Sequence, residues 1–467
     1  MRLEEATWAL LQETLDVYRD DPRVSAHVHH QITRLNDPLR IAVMGQAKSG
    51  KSTLVNAILG EEIAPVFENV LTWYHDGPTP LITAYTVTGA AHDLPATRSA
   101  AGTRIDLAGW RADQIRDIVV QWPIRALRNA SLVDTQPEAP PTSEVDAVLY
   151  LSRDVRAADL DALQQAHLSS VARAAPVSTI LVLSRADEIG GGRIDALLTA
   201  RQLARRHHRD PRVSSVSLGV VPVSGLVALA SRVLSEEDFE RLQGIAFMPR
   251  PELDGYLLSA DRFAAAGGGE LLERFGLHGV RLATTLVRTG HDTRAKLGAE
   301  LARRSGLGEL REALNQYFIE RRDVLKARSA LIVLEELLRN DSRPGAAELL
   351  ARLERVIAGA HEFAELRLMA TLRAAEVTFD DDLNAEAHRL IGGNGGSVAA
   401  RLGLEHEASD AELWALCSEA LIRWQGLAED PGFGFELAQQ RAARVVVRSC
   451  EGLLAELSEA RRFGYAR

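Results

Sequence analysis

One glycine-rich stretch, between an apolar run and a helical pattern, most constrains the fold of this chain. It reads Gly45-Gln46-Ala47-Lys48-Ser49-Gly50-Lys51-Ser52-Thr53 and matches Gly-x-x-x-x-Gly-Lys-[Ser/Thr], the pattern of phosphate-binding loops. Residues 39–44 before it predict a buried strand, and residues 53–60 predict a helix that ends at a glycine. Strand, loop and helix in this order predict a nucleotide-binding α/β domain. The alternative left open by the pattern is a glycine-rich turn without a ligand.

The residue types in this loop suit the chemistry of a nucleotide phosphate. Gly45 and Gly50 allow a tight turn in which the backbone approaches a phosphate, and the loop N–H groups and the helix N-terminus then face the anion. We expect Lys51 to contact the β- and γ-phosphates and Ser52 to bind Mg²⁺. The chain has four lysines, Lys48, Lys51, Lys296 and Lys326. Because lysine is rare in this chain, a general abundance of lysine does not explain why two of them lie in this loop.

Composition excludes some classes of partner. The chain has 467 residues, enough for two or three domains. Its net charge of −10 argues against a nucleic-acid partner. Cys417 and Cys450 lie in helical patterns without metal-like spacing, which predicts buried thiols in a reducing cytoplasm.

The sequence also predicts where the protein acts. The N-terminus has an acidic start and no apolar core, so we expect no secretory signal. No uninterrupted apolar stretch approaches 18 residues, which predicts no transmembrane helix. We therefore expect a cytoplasmic protein whose contact with lipid is peripheral, on the inner face of the cytoplasmic membrane.

The pattern after the loop predicts a doubly wound, mostly parallel sheet. Further strands are predicted over 70–74, 81–87, 131–134, 145–151, 178–183 and 216–223, with a loop over 88–104 and helices over 106–121 and 157–173. Ligands bind at the carboxyl ends of such strands, where Asp134, Ser184-Arg185-Ala186-Asp187 and Ser224-Gly225 lie. We expect Asp134 to hold the Mg²⁺ shell together with Ser52; a helix or turn cap is the alternative role for this aspartate.

Helical patterns dominate the rest of the chain. Helices are predicted over 3–19 and 23–35, and a seven-residue apolar repeat from Leu310 to Leu338 predicts one long bundle helix. A second long helix is predicted over 349–370, a flexible glycine loop over 392–396, and helices over 409–428 and 434–460. The predicted domains are a helical arm (1–36), a P-loop domain (37–232), a helical connection (233–305) and a C-terminal helical bundle that the arm joins (306–467).

Ser184-Arg185-Ala186-Asp187 stands where GTPases carry Asn/Thr-Lys-x-Asp. A carboxylate there accepts hydrogen bonds from guanine N1–H and N2–H₂, a pair that adenine does not offer. We expect Asp187 to select guanine, Arg185 to lie along the base, and a backbone N–H of Ser224-Gly225 to meet guanine O6. The ligands predicted are GTP or GDP with Mg²⁺. A capping role for Asp187 is the alternative.

The combination resembles a known family. A GTPase core with a helix before it and a helical bundle after it is similar to the bacterial dynamin-like GTPases of actinobacteria, and in particular to the mycobacterial isoniazid-induced dynamin-like proteins. The stretches that carry the resemblance are 45–57, Thr72-Trp73-Tyr74, 182–188, 222–226 and 324–331. The resemblance implies GTP hydrolysis coupled to pairing of GTPase heads, as a homodimer or with a dynamin-like paralogue, and to remodelling of the membrane under envelope stress.

Two segments depart from the family pattern, and both concern the γ-phosphate. Residues 63–74 lack a threonine at the place where the family binds Mg²⁺. Asp134-Thr135-Gln136-Pro137 replaces the family's Asp-Thr-Pro-Gly, and Pro137 has no N–H to give to the γ-phosphate. We expect nucleotide binding to survive and hydrolysis to be slow, because catalysis in this class is mostly positioning and charge stabilisation.

Three functions agree with these residues. The first is a dynamin-like GTPase that remodels membranes. The second is a hydrolysis-deficient partner subunit of an active dynamin-like paralogue. The third is a soluble regulatory P-loop protein that binds GTP or ATP. The glycine loop at 392–396 lacks the apolar and basic residues of a membrane anchor.

Overall fold

The computed structural model describes residues 2–64, 70–99, 102–106, 109–135, 144–165, 171–172, 178–341, 343–373, 375–404, 408–429 and 436–464. Within them, nine strands form one sheet in the order β11-β10-β9-β1-β8-β2-β7-β3-β4, and β5 and β6 pair separately. The strands are β1 Leu39–Gly45, β2 Leu71–Asp76, β3 Leu81–Thr86, β4 Ala91–Asp93, β5 Ala96–Ser99, β6 Gly102–Ile105, β7 Ile115–Trp122, β8 Ala130–Asp134, β9 Ala147–Ser152, β10 Thr179–Ser184 and β11 Gly219–Val223.

The sheet is parallel where the predicted site lies. β1 pairs in parallel with β8 and β9, and β10 does so with β9 and β11. These strands are buried almost throughout, as expected when helices cover both faces of a parallel sheet. Antiparallel pairs occur on the other side, between β2 and β8, β3 and β7, and β3 and β4. The predicted α/β class and its mostly parallel sheet are confirmed.

Helices cover the sheet and form the rest of the molecule. In the described residues they are α1 Leu3–Val17, α2 Pro22–Asn36, α3 Lys51–Leu59, α4 Ala157–Gln165, α5 Ala196–His208, α6 Pro211–Ser214, α7 Gly225–Val233, α8 Glu236–Ala246, α9 Arg250–Tyr256, α10 Ala260–Phe263, α11 Gly269–Arg288, α12 Arg294–Arg304, α13 Leu307–Tyr317, α14 Arg322–Arg339, α15 Pro344–Gly359, α16 His361–Arg373, α17 Asp381–Leu390, α18 Val398–Leu402, α19 Asp410–Glu429 and α20 Leu437–Gly464.

The apolar core shows how these helices are grouped. The sheet shares one continuous cluster of buried side chains with α13 and the C-terminal helices α16, α17, α19 and α20. The N-terminal helices α1 and α2 bury their apolar faces against α14 and α15 in a second cluster. Helices α7 to α12 form a third cluster beside the P-loop domain. The two N-terminal helices therefore pack against residues about 300 positions away, while the domain boundaries themselves stay predictions.

Two predictions for residues 88–121 are wrong. The predicted loop over 88–104 contains the short strands β4, β5 and β6 in its described residues. The predicted helix over 106–121 is replaced by the strand β7, preceded by a single 3₁₀ turn at Ala112–Gln114. Helical spacing fits the apolar residues Ile115, Ile118, Val119 and Trp122. In the structure, however, buried and less buried side chains alternate along the segment, and Ile118 and Val120 are fully buried. Both periods are present in the sequence, and pairing with β2 and β3 selects the strand.

The predicted long helices are also wrong in length. The repeat from Leu310 to Leu338 is broken between α13 and α14, where Phe318 is fully buried and residues 319–321 form a 3₁₀ turn. Leu310 belongs to the cluster under the sheet, whereas Leu331 and Leu338 belong to the cluster with α1, so one apolar stripe serves two cores. The second predicted helix, over 349–370, breaks at Ala360 between α15 and α16.

The glycine loop at 392–396 is not a free tip. The Gln316 side chain donates to the carbonyl of Gly393 at 2.5 Å, Arg321 donates to the carbonyl of Gly392, and the N–H of Gly396 donates to Glu320. The loop is thus fastened to the junction between α13 and α14. Two predicted helices, 157–173 and 434–460, extend into residues outside the described ranges. Where the structure describes the chain, none of its helices combines the length and apolar character that crossing a membrane requires.

Candidate nucleotide-binding site

The phosphate loop joins β1 to α3, and two glycines set its shape. Gly45 has φ +137°, and a Cβ on it would lie 2.3 Å from the carbonyl oxygen of Leu151 in β9. Gly50 has φ +96° and precedes α3, whose N-terminus has no side-chain cap. The first N–H groups of α3 are therefore open to an anion at the carboxyl edge of the sheet.

Three predicted residues meet beside this loop. The Lys51 ammonium donates to the carbonyls of Gly45 and Gln46 at 3.1 and 3.3 Å. The Ser52 hydroxyl donates to Oδ2 of Asp134, at the end of β8, at 3.3 Å. The sheet brings them together because Asp134 is in register with Val43 on the adjacent strand.

Burial changes the acid–base properties of this group. It raises the pKa of Asp134 to about 6, although the Lys51 charge and the Ser52 hydrogen bond act in the opposite direction. It also lowers the pKa of Lys51, against the attraction of Asp134. A buried carboxylate with incomplete compensation favours an added cation.

The pair Ser52 and Asp134 suits Mg²⁺. A hydroxyl and a carboxylate are hard oxygen donors, and Mg²⁺ in phosphate sites usually binds one or two protein groups together with nucleotide oxygens and waters. No group of three or more His, Cys, Asp or Glu side chains in the described residues could hold a metal by itself. The geometry is consistent with a cation that is bound together with a nucleotide phosphate.

A cavity continues from the phosphate loop along the sheet edge. It brings three separate predicted stretches into one site. Its polar and backbone lining includes Ser49, Gly50, Thr53, Ser184, Arg185, Asp187 and Gly225. The hydroxyl oxygens of Ser49 and Ser184 are buried without a hydrogen-bond partner in the described structure. Unpartnered buried hydroxyls along a cavity suit a polar ligand.

Arg185 lines the cavity and contacts the phosphate loop. It has φ +50°, and its guanidinium donates to Glu188 at 2.7 Å and to the carbonyl of Lys48 at 2.9 Å. Arg185 was predicted to lie along the base. The hydrogen bond to Lys48 gives it a second role, which is to join the Ser184–Asp187 stretch to the phosphate loop.

The two residues Ser224 and Gly225 have different positions. The N–H of Ser224 donates to the carbonyl of Ser305 at 2.9 Å, and its hydroxyl caps α7 by accepting from the N–H of Val227. Gly225 lines the cavity. Of the predicted pair, Gly225 is therefore the residue that lines the cavity, whereas Ser224 caps α7.

One supporting residue was not predicted. Asp159 of α4 is buried and accepts hydrogen bonds from the Tyr150 and Ser152 hydroxyls at 2.9 and 2.8 Å. It also accepts a hydrogen bond from the side-chain amide of Gln46 at 3.3 Å and so links the phosphate loop to α4. The sequence marks Asp159 only as an acidic residue in the first turn of a helix. Among the predicted segments, residues 65–69, Gln136 and Pro137 lie outside the described residues.

Comparisons with known proteins found similar sequences and structures. The family model described as "Dynamin family" matches residues 41–74, which include the phosphate loop. The isoniazid-induced protein IniC of Mycobacterium tuberculosis, in strains CDC 1551 and H37Rv, is 36% identical over 99% of this chain and 100% of its own length. A solved oligomerised bacterial dynamin pair, described as sensing and tethering membranes, is 11% identical, covers 95% of this chain and 89% of its own, and has a TM-score of 0.31.

Proposed function

Because this chain belongs to the dynamin family of GTPases, we propose that it binds GTP and GDP with Mg²⁺ and hydrolyses GTP slowly. The observation that carries the proposal is the single cavity that joins the phosphate loop to Asp187 and Gly225. A phosphate site alone would suit many nucleotides. A carboxylate at the base end of the same cavity favours guanine, because it accepts two hydrogen bonds from that base.

Slow hydrolysis follows from what the sequence lacks on the γ-phosphate side. Pro137 stands where the family has a glycine, and it has no N–H to stabilise charge on the γ-phosphate. The groups proposed to hold the β-phosphate and guanine are all present. Binding and turnover are therefore proposed to be separable properties of this site.

The proposed cellular role is remodelling or maintenance of the cytoplasmic membrane under envelope stress. Its support is the full-length similarity to a mycobacterial protein named for its induction by isoniazid. In this proposal the chain acts peripherally on the inner face of the membrane. It pairs through its GTPase heads with a second copy or with a dynamin-like paralogue.

Pro137 also favours a second candidate function, that of a hydrolysis-deficient partner subunit. In that case the chain would bind nucleotide structurally, and an active paralogue would supply the turnover. The two functions differ in whether the purified chain alone hydrolyses GTP.

The experiment that tests these proposals is nucleotide binding and turnover by the purified full chain, with and without liposomes. We expect GTP and GDP to bind, ATP to bind much more weakly, and GTP turnover to be slow. Turnover equal to that of a fully active dynamin-like GTPase would refute slow hydrolysis. Turnover that appears only with a paralogue would favour the partner-subunit function, and tight ATP binding would refute the role of Asp187.

A further inference from the structure

Lys48 has a backbone conformation that lysine rarely adopts. Its φ is +59°, in the left-handed region, where residues other than glycine, asparagine and aspartate are disfavoured by contact between Cβ and the backbone. Residues held in such conformations cluster at functional sites and persist where the surrounding structure fixes them. A glycine at this position would form the same loop without the steric cost.

Two arginines fix Lys48 from neighbouring strand ends. Arg153, directly after β9, donates to the Lys48 carbonyl at 3.2 Å. Arg185, directly after β10, donates to the same oxygen at 2.9 Å. Both contacts use the backbone of Lys48, so they explain how its conformation is maintained but give no reason for a lysine side chain.

The Lys48 ammonium differs from those of the other three lysines. Lys51 donates to loop carbonyls, Lys296 pairs with Asp292 at 2.9 Å, and Lys326 donates to the carbonyl of Leu35 at 2.5 Å. Lys48 is exposed, and in the described part of the chain its ammonium forms no hydrogen bond or ion pair. Its charge is available to a ligand of the loop.

We propose that the Lys48 ammonium is a second cation for the phosphate chain of bound GTP, in addition to Lys51. An extended lysine side chain spans about 6 Å, which is enough to reach an anion held by the loop that contains it. In the family, a glycine N–H contacts the negative charge of the γ-phosphate, whereas Pro137 has no N–H to make that contact. A second ammonium compensates for the missing contact with its positive charge. This inference rests on the proposed guanine-nucleotide function and adds a side-chain role to the loop's backbone contacts.

The test separates the charge of Lys48 from its backbone conformation. Lys48→Gly and Lys48→Asn both tolerate φ near +60° but have no charge, whereas Lys48→Arg keeps the charge. Equilibrium binding of GTPγS and of GDP, each with Mg²⁺, is measured on the full-length parent and the three variants. Thermal melting of the ligand-free proteins checks that each variant is folded.

We expect both uncharged variants to bind GTPγS about tenfold or more weakly than the parent, with a smaller loss for GDP, as charge-assisted hydrogen bonds predict. Lys48→Arg should stay within about threefold of the parent, and Lys48→Gly should melt no lower than the parent because its backbone strain is relieved. GTPγS affinities of both uncharged variants within twofold of the parent would overturn the role of Lys48 alone. A parent that binds neither nucleotide would overturn the proposed function itself.

Discussion

Arg34 of α2 and Asp146, directly before β9, form a buried ion pair of 2.8 Å across 112 positions of sequence. Their side chains are 5% and 3% exposed. Asp146 also accepts the N–H of Arg40 at 2.9 Å, so one carboxylate joins the N-terminal arm to the first strand of the sheet. The arm is therefore connected to the P-loop domain by buried charges, in addition to its apolar packing against α14 and α15.

Replacing Arg34 with methionine should destabilise the protein strongly. The change keeps the apolar volume but removes the guanidinium 2.8 Å from Asp146, and we expect a loss of about 3 kcal/mol, although the buried Arg328 also attracts this carboxylate. Urea unfolding measures the loss. The matched control is Arg19→Met, because Arg19 pairs with Asp16 at the surface, where both side chains are more than 70% exposed, and should change stability by less than about 0.5 kcal/mol. Equal losses in the two variants would contradict a structural role for the buried pair.

Lys51→Ala should abolish nucleotide binding. The variant removes the ammonium proposed to contact the β- and γ-phosphates, and we expect an affinity loss of a hundredfold or more for GTP and GDP. Fluorescence titration with a labelled guanine nucleotide provides the measurement. Lys296→Ala removes a surface lysine paired with Asp292 and should bind like the parent. Unchanged GTP affinity in Lys51→Ala would refute the site.

Asp187→Asn should change the base preference from guanine toward xanthine. The amide places a donor where the carboxylate accepted from guanine N2–H₂, and xanthine has an oxygen at that position. Competition binding with GDP and XDP measures the change, and we expect guanine affinity to fall by about tenfold or more. Glu188→Gln is the control, since Glu188 pairs with Arg185 and has no proposed contact with the base. A guanine preference that survives in Asp187→Asn would argue against this role.

Asp134→Asn should make the metal-free protein more stable at pH 7.5. Burial raises the pKa of Asp134 from 3.8 to about 6, so the folded state holds the proton more tightly than the unfolded state. The resulting penalty is fully present above about pH 7, shrinks as pH falls through the folded pKa of about 6, and is lost below the unfolded value of 3.8. We expect the variant to gain about 3 kcal/mol at pH 7.5 and less than about 1 kcal/mol at pH 4.

Denaturation of both proteins across this pH range, without Mg²⁺, measures the effect. With Mg²⁺ and GDP at pH 7.5, the parent should gain more stability than the variant, because the carboxylate is a proposed metal ligand. A stability difference that does not depend on pH would contradict the raised pKa.

Gly45→Ala should be more damaging than Gly50→Ala. Both glycines have positive φ, so each alanine introduces strain of about 1–2 kcal/mol. At Gly45 the added Cβ would lie 2.3 Å from the backbone carbonyl oxygen of Leu151. At Gly50 no atom lies within 4 Å of the added Cβ. We expect thermal melting to show an additional loss of about 1–3 kcal/mol for Gly45→Ala. Equal melting temperatures would show that the β9 contact relaxes without cost.

The sequence could predict the phosphate loop and the parallel strands because each has a local pattern. Strand 39–44, the loop and the acidic strand end at Asp134 each occupy a few consecutive residues, and parallel pairing places strand ends at one edge. The same reasoning failed at β7. Its apolar residues satisfy both the helical and the strand period, and only pairing with distant strands decides between them.

Other features have no local pattern. The seven-residue apolar repeat does not predict the break between α13 and α14. Leu310 and Leu331 both fit the repeat, but they pack in different apolar clusters. Asp159 supports Gln46 from 113 positions away, and the hydrogen bond of Arg185 to Lys48 spans 137 positions. Such contacts depend on the tertiary fold and not on the spacing of residues along the chain.

Because α1 and α2 pack against α14 and α15, the N-terminal helices reach their native packing only after those later helices have been synthesised. Lys326 donates to the carbonyl of Leu35, 291 positions earlier. At about 5–20 residues per second of synthesis, the arm leaves the ribosome roughly 15–60 s before its partner helices exist. During that interval Leu10, Leu11 and Tyr18, all fully buried in the finished protein, have no native surface to cover them. The nascent arm thus exposes an apolar face during synthesis, and a chain that terminates before α14 would keep that face uncovered by its partner helices.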